Sequence, residues 1–426
     1  RSRGRSPHPR REPLNAGGVG AVDMGWIMPA AVARAGIRPD DRFVDSWPVT
    51  VYLDHAATSP VHPLVVEAVL DQLGRTGNAS SLHDAGRAAR RVVEESREVL
   101  AARLGARPSE VVLTSGATEA DNLALKGLYW ARSGADPRRR RVLVSGVEHH
   151  AVLDPAVWLA ERCGAELVVL PVDAVGRVDL DALEAELTAH ADRTALVSVM
   201  WANNEVGTVQ PLAGVVELAH RHGVPVHADA VQAVGQLPVD FAASGLDAMT
   251  VSGHKIGAPV GTGALLARRE LPLAPLTHGG GQERGVRSGT VDVVGARALA
   301  LAVDLAVRDR PEHARRVGAL RDRLLAAVQE AVPDAVVRGA AAGERLPANA
   351  HLTFPGCEGD ALLYLLDSRG IRCSTGSACR AGVPQPSHVL LAMGVPDREA
   401  RGALRFSLGR TSSDDDVAAL AAVLPE

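Results

Sequence analysis

Five short segments of this sequence put chemically capable residues directly behind an apolar run. Ser115-Gly116-Ala117-Thr118-Glu119 follows Glu110–Thr114, and Glu148-His149-His150 follows Arg141–Ser145. Asn203-Asn204-Glu205-Val206-Gly207 follows Ala195–Trp201, Asp229-Ala230-Val231-Gln232 follows Val224–Ala228, and Gly253-His254-Lys255 follows Ala248–Ser252. Small residues opening a helix expose backbone N–H groups at its positive end, which suits a phosphate; on this segment alone an ordinary Ser or Thr cap is the favoured reading. No Gly-Lys-Ser/Thr closes that first segment, so it is not a P-loop. The His doublet also reads as a capped helix start, and the Asn pair as a turn. An Asp at the end of a buried strand is costly unless a cation or donor meets it. Of 46 basic residues only two are lysines, Lys126 and Lys255. A GC-rich genome accounts for the bias, yet a surviving lysine can mark a place where a primary amine is needed, because guanidinium stays protonated and is a poor nucleophile. Lys126, mid-helix in NLALKGLYWA, is expected to be a solvated side chain.

The elements that must position these groups alternate. The five apolar runs, with Leu167–Val172, read as short buried strands, and Arg87–Leu104, Glu119–Ala131 and Leu212–Arg221 read as helices. Strands alternating with helices predict an α/β fold with a mostly parallel sheet covered on both faces, in which ligands sit at the carboxyl ends of the strands. Ala296–Gln329 is a long Ala/Leu/Arg helical stretch, read as the bridge to a smaller α+β C-terminal domain. The expected division is a large domain over 65–304 and a small one from 49–64 with 305–426. Residues 1–48 open with RSRGRSPHPRRE, carry five Arg in twelve positions, and read as a disordered extension.

At 426 residues, 46% apolar and 23% charged, the chain can bury a sizeable core and is not disordered as a whole. A net charge of −4 gives no general argument for nucleic-acid or membrane binding. No apolar run reaches the ~18 residues a membrane span needs. Four cysteines without paired spacing make neither a disulfide framework nor a zinc site, which points to a reducing, cytoplasmic setting. His220, His222 and His227 lack a zinc-binding spacing, and no resident metal is expected.

Taken together, the strand-end groups are an anion site, a stackable imidazole, amide donors, a carboxylate and an amine on one rim. Pyridoxal 5'-phosphate asks for this set: a Schiff-base lysine, an Asp on the pyridinium nitrogen and a phosphate site. The segments YLDHAAT (52–58), GNASSLH (77–83), TSGATEADNLALKG (114–127), EHHAVL (148–153) and NNEVGTVQP (203–211) extend the pattern. So do HADAVQAVG (227–235), SGHKIGAPVGTGAL (252–265), HGGGQERGVRSGT (278–290), STGSAC (374–379), PSHVL (386–390) and RFSLGR (405–410). From about residue 51 to 420 the chain resembles the cysteine desulfurases of the nitrogen-fixation and iron–sulfur-assembly type. These are fold-type I pyridoxal phosphate enzymes of the class V aminotransferase group, with a seven-stranded-type sheet.

The resemblance implies that Lys255 holds the cofactor, Asp229 pairs with its ring nitrogen, and His149 stacks on the ring and shuttles protons. Asn204 and Gln232 would bond the ring oxygen side. Ala117, Thr118, Ser252 and His254 would hold the phosphate, and Thr290 would complete that site from the other subunit of a homodimer. Arg405 would clamp the carboxylate of L-cysteine, with Asn78 also at the substrate; Ala79 follows Asn78 where the motif usually has Pro. Cys379 would be the nucleophile that takes the sulfur as a persulfide, and it could transiently ligate an iron–sulfur cluster. It sits in a Ser/Thr/Gly/Ala/Pro stretch that reads as a mobile loop, with Arg380 beside it to favour the thiolate. Without the resemblance, a lone Cys in a loop reads as simply unpaired. Cys163, Cys357 and Cys373 read as structural. The sulfur acceptor is expected to be a tRNA thiolation enzyme or an iron–sulfur scaffold; the short stretch after RFSLGR leans to the former. A selenocysteine lyase shares nearly every one of these residues, another class V aminotransferase would not need Cys379, and a non-catalytic binding protein would need neither Cys379 nor Lys255.

Overall fold

Short runs such as Val111-Val112-Leu113-Thr114 or Ala248-Met249-Thr250-Val251-Ser252 are buried along their whole length, as expected of strands covered on both faces. A computed structural model describes residues 51–376 and 385–425. The N-terminal extension, Cys379 and Arg380 lie outside the described residues. The chain begins with β1 (Val51–Tyr52), α1 (Pro63–Leu73), α2 (Asp84–Leu104), β2 (Val111–Thr114), α3 (Ala117–Ala135), β3 (Arg141–Ser145) and α4 (His150–Cys163). It continues with β4 (Glu166–Leu170), α5 (Leu180–His190), β5 (Thr194–Ser198), α6 (Leu212–Arg221), β6 (Val226–Asp229), α7 (Phe241–Ser244), β7 (Ala248–Ser252) and β8 (Gly263–Ala267). After α8 (Val293–Ala331) come β9 (Val336–Arg338), β10 (Asn349–Thr353), α9 (Gly359–Ser368), β11 (Ile371–Arg372), α10 (His388–Ala392), α11 (Asp397–Ala400), β12 (Ala403–Ser407) and α12 (Asp414–Val423).

Seven strands form one sheet in the order β2-β8-β7-β6-β5-β3-β4. The pairs β3–β4, β3–β5, β5–β6 and β6–β7 are parallel, and β8 runs antiparallel to both β7 and β2. Strands β2, β7, β6, β5 and β3 therefore point the same way, and the five chemically capable segments all leave the same edge of the sheet. A second sheet, β12-β10-β9, is antiparallel, and β1 pairs with β11. One apolar cluster, with Leu100, Leu104, Val197, Val226, Met249 and Leu299, packs helices onto one face of the large sheet, and another with Leu123, Leu128, Val144 and Leu159 covers the other. A third gathers Leu53, Leu320, Leu324, Leu352, Phe406 and Leu420 around the smaller sheet. Each fully buried Leu or Val contributes about 1.5–3 kcal/mol relative to exposure. Among the described residues, no helix is long and apolar enough to cross a membrane.

Four of the sequence expectations need correction. Leu167–Val172 ends as a strand at Leu170, where Pro171 follows, and Val224–Ala228 shifts past Pro225, which has no N–H for a ladder, so that Asp229 is the last strand residue. Ala195–Trp201 ends as a strand at Ser198; strand β8 is an addition the sequence reading did not anticipate. Lys126 is half-buried, with its ammonium 4.5 Å from the centre of the Trp158 ring, rather than a freely solvated side chain.

Candidate active site

Lys255 lies three residues beyond β7, and its Nζ donates to the carbonyls of Ala56 and Ala57 at 2.6 and 2.7 Å. Burial pulls its pKa from 10.5 down to about 8, Arg405 pulls the same way, and Asp229 and Asp54 oppose them. The amine is therefore neutral in a far larger fraction than an ordinary lysine near physiological pH, which favours a Schiff-base role. The turn at 54–58 that receives Lys255 is fixed from several directions. Gln232 Nε2 donates to the Ala56 carbonyl at 3.0 Å, Ser407 Oγ accepts from the Ala56 N–H at 2.8 Å, and His254 Nδ1 meets Thr58 Oγ1 at 3.2 Å.

Asp229 closes β6 and is buried; its Oδ1 accepts the Val231 N–H at 2.8 Å. Two further carboxyls are fully buried near it, Asp121 on α3 and Glu148 before α4. Burial pushes all three upward, and Asp229 acts on both of the others. Only Asp229 also has a cation, Lys255, drawing it back, so Asp229 is the one of the three that holds negative charge. His227, two residues earlier in β6, meets Ser198 Oγ and Thr250 Oγ1 at 2.9 and 3.0 Å, and burial holds it neutral with a pKa of about 3. His220 instead pairs with Asp247 at 2.8 Å, so these histidines do not converge.

His149 is both a helix cap and a site residue. Its Nδ1 accepts the Ala151 N–H at 3.1 Å at the start of α4, and its pKa falls to about 4 through burial first and then the charge of Lys255. It presents a neutral ring beside the lysine. Arg405, on β12, is buried; it donates to Asp54 Oδ1 at 2.8 Å and to the Asn204 carbonyl at 2.9 Å. Its Nε has no partner among the described residues. Asn204 is half-buried in the turn behind β5.

The phosphate-type segment resolves one ambiguity. The cap of α3 is Gly116 at φ +152, with no side-chain cap bond, so the Ser or Thr cap is not what forms. Ser115 turns instead to Glu119, whose carboxylate also takes Arg287 Nε at 2.8 Å. A Cβ on Gly263 would fall 2.7 Å from Gly116 Cα, so backbone meets backbone, and Gly263 is the ladder partner of Ser252. The uncapped N-terminus of α3 thus lies beside Ser252, whose buried Oγ has no partner among the described residues. An open helix end and an orphaned buried hydroxyl are what a phosphate would satisfy. With Lys255, charged Asp229 and the neutral His149 ring, the residues present fit pyridoxal phosphate.

A cavity of about 610 Å³ opens beside the lysine and shares Lys255, Gln232 and Ala56 with this cluster, but Asp229, His149 and Arg405 are not among its described lining. Two of the expected residues stand apart. Thr290 is exposed, and Asn78 is exposed with its Oδ1 accepting the Ser80 N–H at 2.9 Å. The sequence reading assigned no role to Asp54, Ala56, Asp121 or Glu148; YLDHAAT was the signal for the first two. Cys373 is buried and its thiol is pushed up to about 12, chiefly by burial, which leaves it unreactive.

Residues 51–420 match the family model described as aminotransferase class-V. An IscS-like cysteine desulfurase of Mycobacterium tuberculosis is 58% identical over 88% of this chain and 95% of that protein. A solved NifS-like protein superposes with a TM-score of 0.81 at 35% identity, covering 88% of this chain and 98% of that one. The structure titled SspA in complex with cysteine gives a TM-score of 0.72 at 32% identity over 84% of this chain and 99% of its own.

Proposed function

Because this chain belongs to the class-V aminotransferases, and within them to the cysteine desulfurases, we propose that it holds pyridoxal 5'-phosphate on Lys255 and passes the sulfur of L-cysteine to Cys379. The family is pyridoxal-phosphate-dependent, and cysteine desulfurases release L-alanine. The observation that carries the residue assignment is the Lys255 amine, depressed to about 8 and held at a strand end beside buried Asp229.

When bound, the cofactor supplies an electron sink for the pair left behind as the α-proton departs. Asp229 would hold a proton at the ring nitrogen, and His149 would stack on the ring. The first turn of α3 at Ala117 and Thr118, with Ser252 and His254, would hold the phosphate. Asn204 and Gln232 would face the ring oxygen. Arg405, steadied by Asp54, would bind the cysteine carboxylate through its free donors. Lys255 Nζ, which gives up its proton more readily than an ordinary lysine, would take the α-proton and return it to carbon. Cys379 thiolate would attack the substrate sulfur; the S–S bond forms, the C–S bond breaks with its electrons going to carbon, and alanine leaves.

A homodimer is part of this reading, with Thr290 completing the partner's phosphate site and Asn78 reaching substrate in the assembled enzyme. The apolar face of α1 supports it: Leu70 and Leu73 are each 64% exposed, and Leu82 and Val260 are exposed as well. The division into a large unit over 65–304 and a small unit from 49–64 with 305–426 is supported by the separate core around Leu53, Leu324 and Phe406. The acceptor would be a tRNA thiolation enzyme or iron–sulfur scaffold, met in the cytoplasm without direct nucleic-acid contact.

The test compares Cys379→Ser with Cys373→Ser in the cofactor-loaded protein. Alanine release should collapse in the first and persist in the second, with cofactor absorbance unchanged in both. Full turnover by Cys379→Ser would refute the assignment.

A further inference from the structure

The two described flanks of the Cys379 segment meet at one buried carboxylate. Glu205, 3% exposed, accepts from Ser387 Oγ through its Oε2 at 2.5 Å. A Cβ on Gly376 would fall 3.5 Å from that same oxygen and 3.2 Å from His351 Nε2. Ser387 caps α10, accepting the Leu390 N–H at 3.2 Å, which leaves its own proton for Glu205. The next residue, His388, donates from Nε2 to the Glu148 carbonyl at 2.9 Å. On the other flank the Gly376 N–H donates to Ser374 Oγ at 3.0 Å, and Ser374 bridges to Arg405 through the backbone. Glu205 stands in the same turn as Asn204, and Asn203 Oδ1 fixes that turn by accepting the N–H groups of Glu205 and Val206 at 2.8 and 2.9 Å. His351 is fully buried, and neither ring nitrogen has a partner among the described residues. Residues 376 and 387 are thus tied to the neighbours of Asn204, His149 and Arg405.

We propose that Glu205 and His351 are positioning residues for the sulfur-transfer step. They hold the entry and exit of the nucleophile's segment at a single polar point beside the turn that carries Asn204. The proposal rests on Cys379 being the nucleophile. A side chain at Gly376 would be strained: its φ is +86, and a Cβ would crowd His351 Nε2 at 3.2 Å. Small displacements of a reacting group cost rate steeply, about 10²-fold for roughly 1 Å, because the oriented approach is lost.

The test uses the cofactor-loaded full chain carrying Ser387→Ala, Glu205→Gln or His351→Phe, with Ser387→Thr as the conservative variant. Alanine-release kinetics, the cofactor's visible spectrum and the alkylation rate of Cys379 by iodoacetamide are measured. Expected is a fall in kcat of about 10- to 100-fold with KM and spectrum unchanged, an altered alkylation rate, and recovery with Ser387→Thr. Should Glu205→Gln or His351→Phe fail to fold, Ser387→Ala decides alone. Wild-type kcat and alkylation in Ser387→Ala would overturn the proposal. Persulfide still forming on Cys379→Ser would instead overturn the nucleophile assignment and the proposal with it.

Discussion

Replacing Lys255 by Met in the apoprotein should remove a specific pH dependence of stability. The ordinary value for the amine is 10.5, and burial with the Arg405 charge brings it to about 8. At ~1.36 kcal/mol per pH unit, that gap is worth about 3 kcal/mol. Between those two pH values the unfolded chain keeps a proton on this amine that the folded chain has released, so stability rises with pH. Below pH 8 both states are charged and the folded state bears the full penalty of a buried ammonium; above 10.5 both are neutral and the penalty is gone. Lys255→Met also loses the bonds to the Ala56 and Ala57 carbonyls, a roughly constant offset that cancels in the slope. Urea unfolding of both apoproteins from below pH 8 to 10.5 should show the wild type gaining about 3 kcal/mol on the variant. Parallel stability curves would refute the depressed lysine and with it the physical basis for its reactivity.

Ser252→Ala should leave apoprotein stability within about 1 kcal/mol, since the hydroxyl it removes is unpaired, yet weaken pyridoxal phosphate binding about 10- to 100-fold in a titration. Arg405→Gln should raise KM for cysteine about 10- to 100-fold. Because Arg405 also lowers the Lys255 pKa, the same variant should move the pH-dependent stability gain of the apoprotein to higher pH. Gly263→Ala should destabilise by about 1–3 kcal/mol in thermal unfolding, because its Cβ meets the Gly116 backbone, which cannot rotate aside.

The rim of strand-end groups was readable because each strand is a short, wholly buried apolar run, and such runs imply a parallel sheet whose carboxyl ends share an edge. Lys255 was conspicuous for a compositional reason, as one of two lysines. Partnerships made across the fold left no local trace. Asp54 and Arg405 are 351 positions apart, and Ala56 meets Lys255 from 199 positions away. Asp121 and Glu148 looked like ordinary polar residues at helix starts; only the packing of α3 and α4 against the sheet buries them. Strand β8 was hidden because GTGALLA reads as glycine punctuation, while its glycine serves the close approach to Gly116. His149 shows that a bland reading and a functional one can hold for the same atom group: the cap bond uses one ring nitrogen and not the ring face.

The most direct measurement is the location of the transferred sulfur. Cofactor-loaded protein would be given one equivalent of L-cysteine, digested without reductant, and every cysteine-containing peptide weighed by mass spectrometry alongside the alanine released. One added sulfur atom on the Cys379 peptide, matched by one alanine, is the predicted result. Alanine release with the sulfur on Cys373, or on no peptide at all, would contradict it.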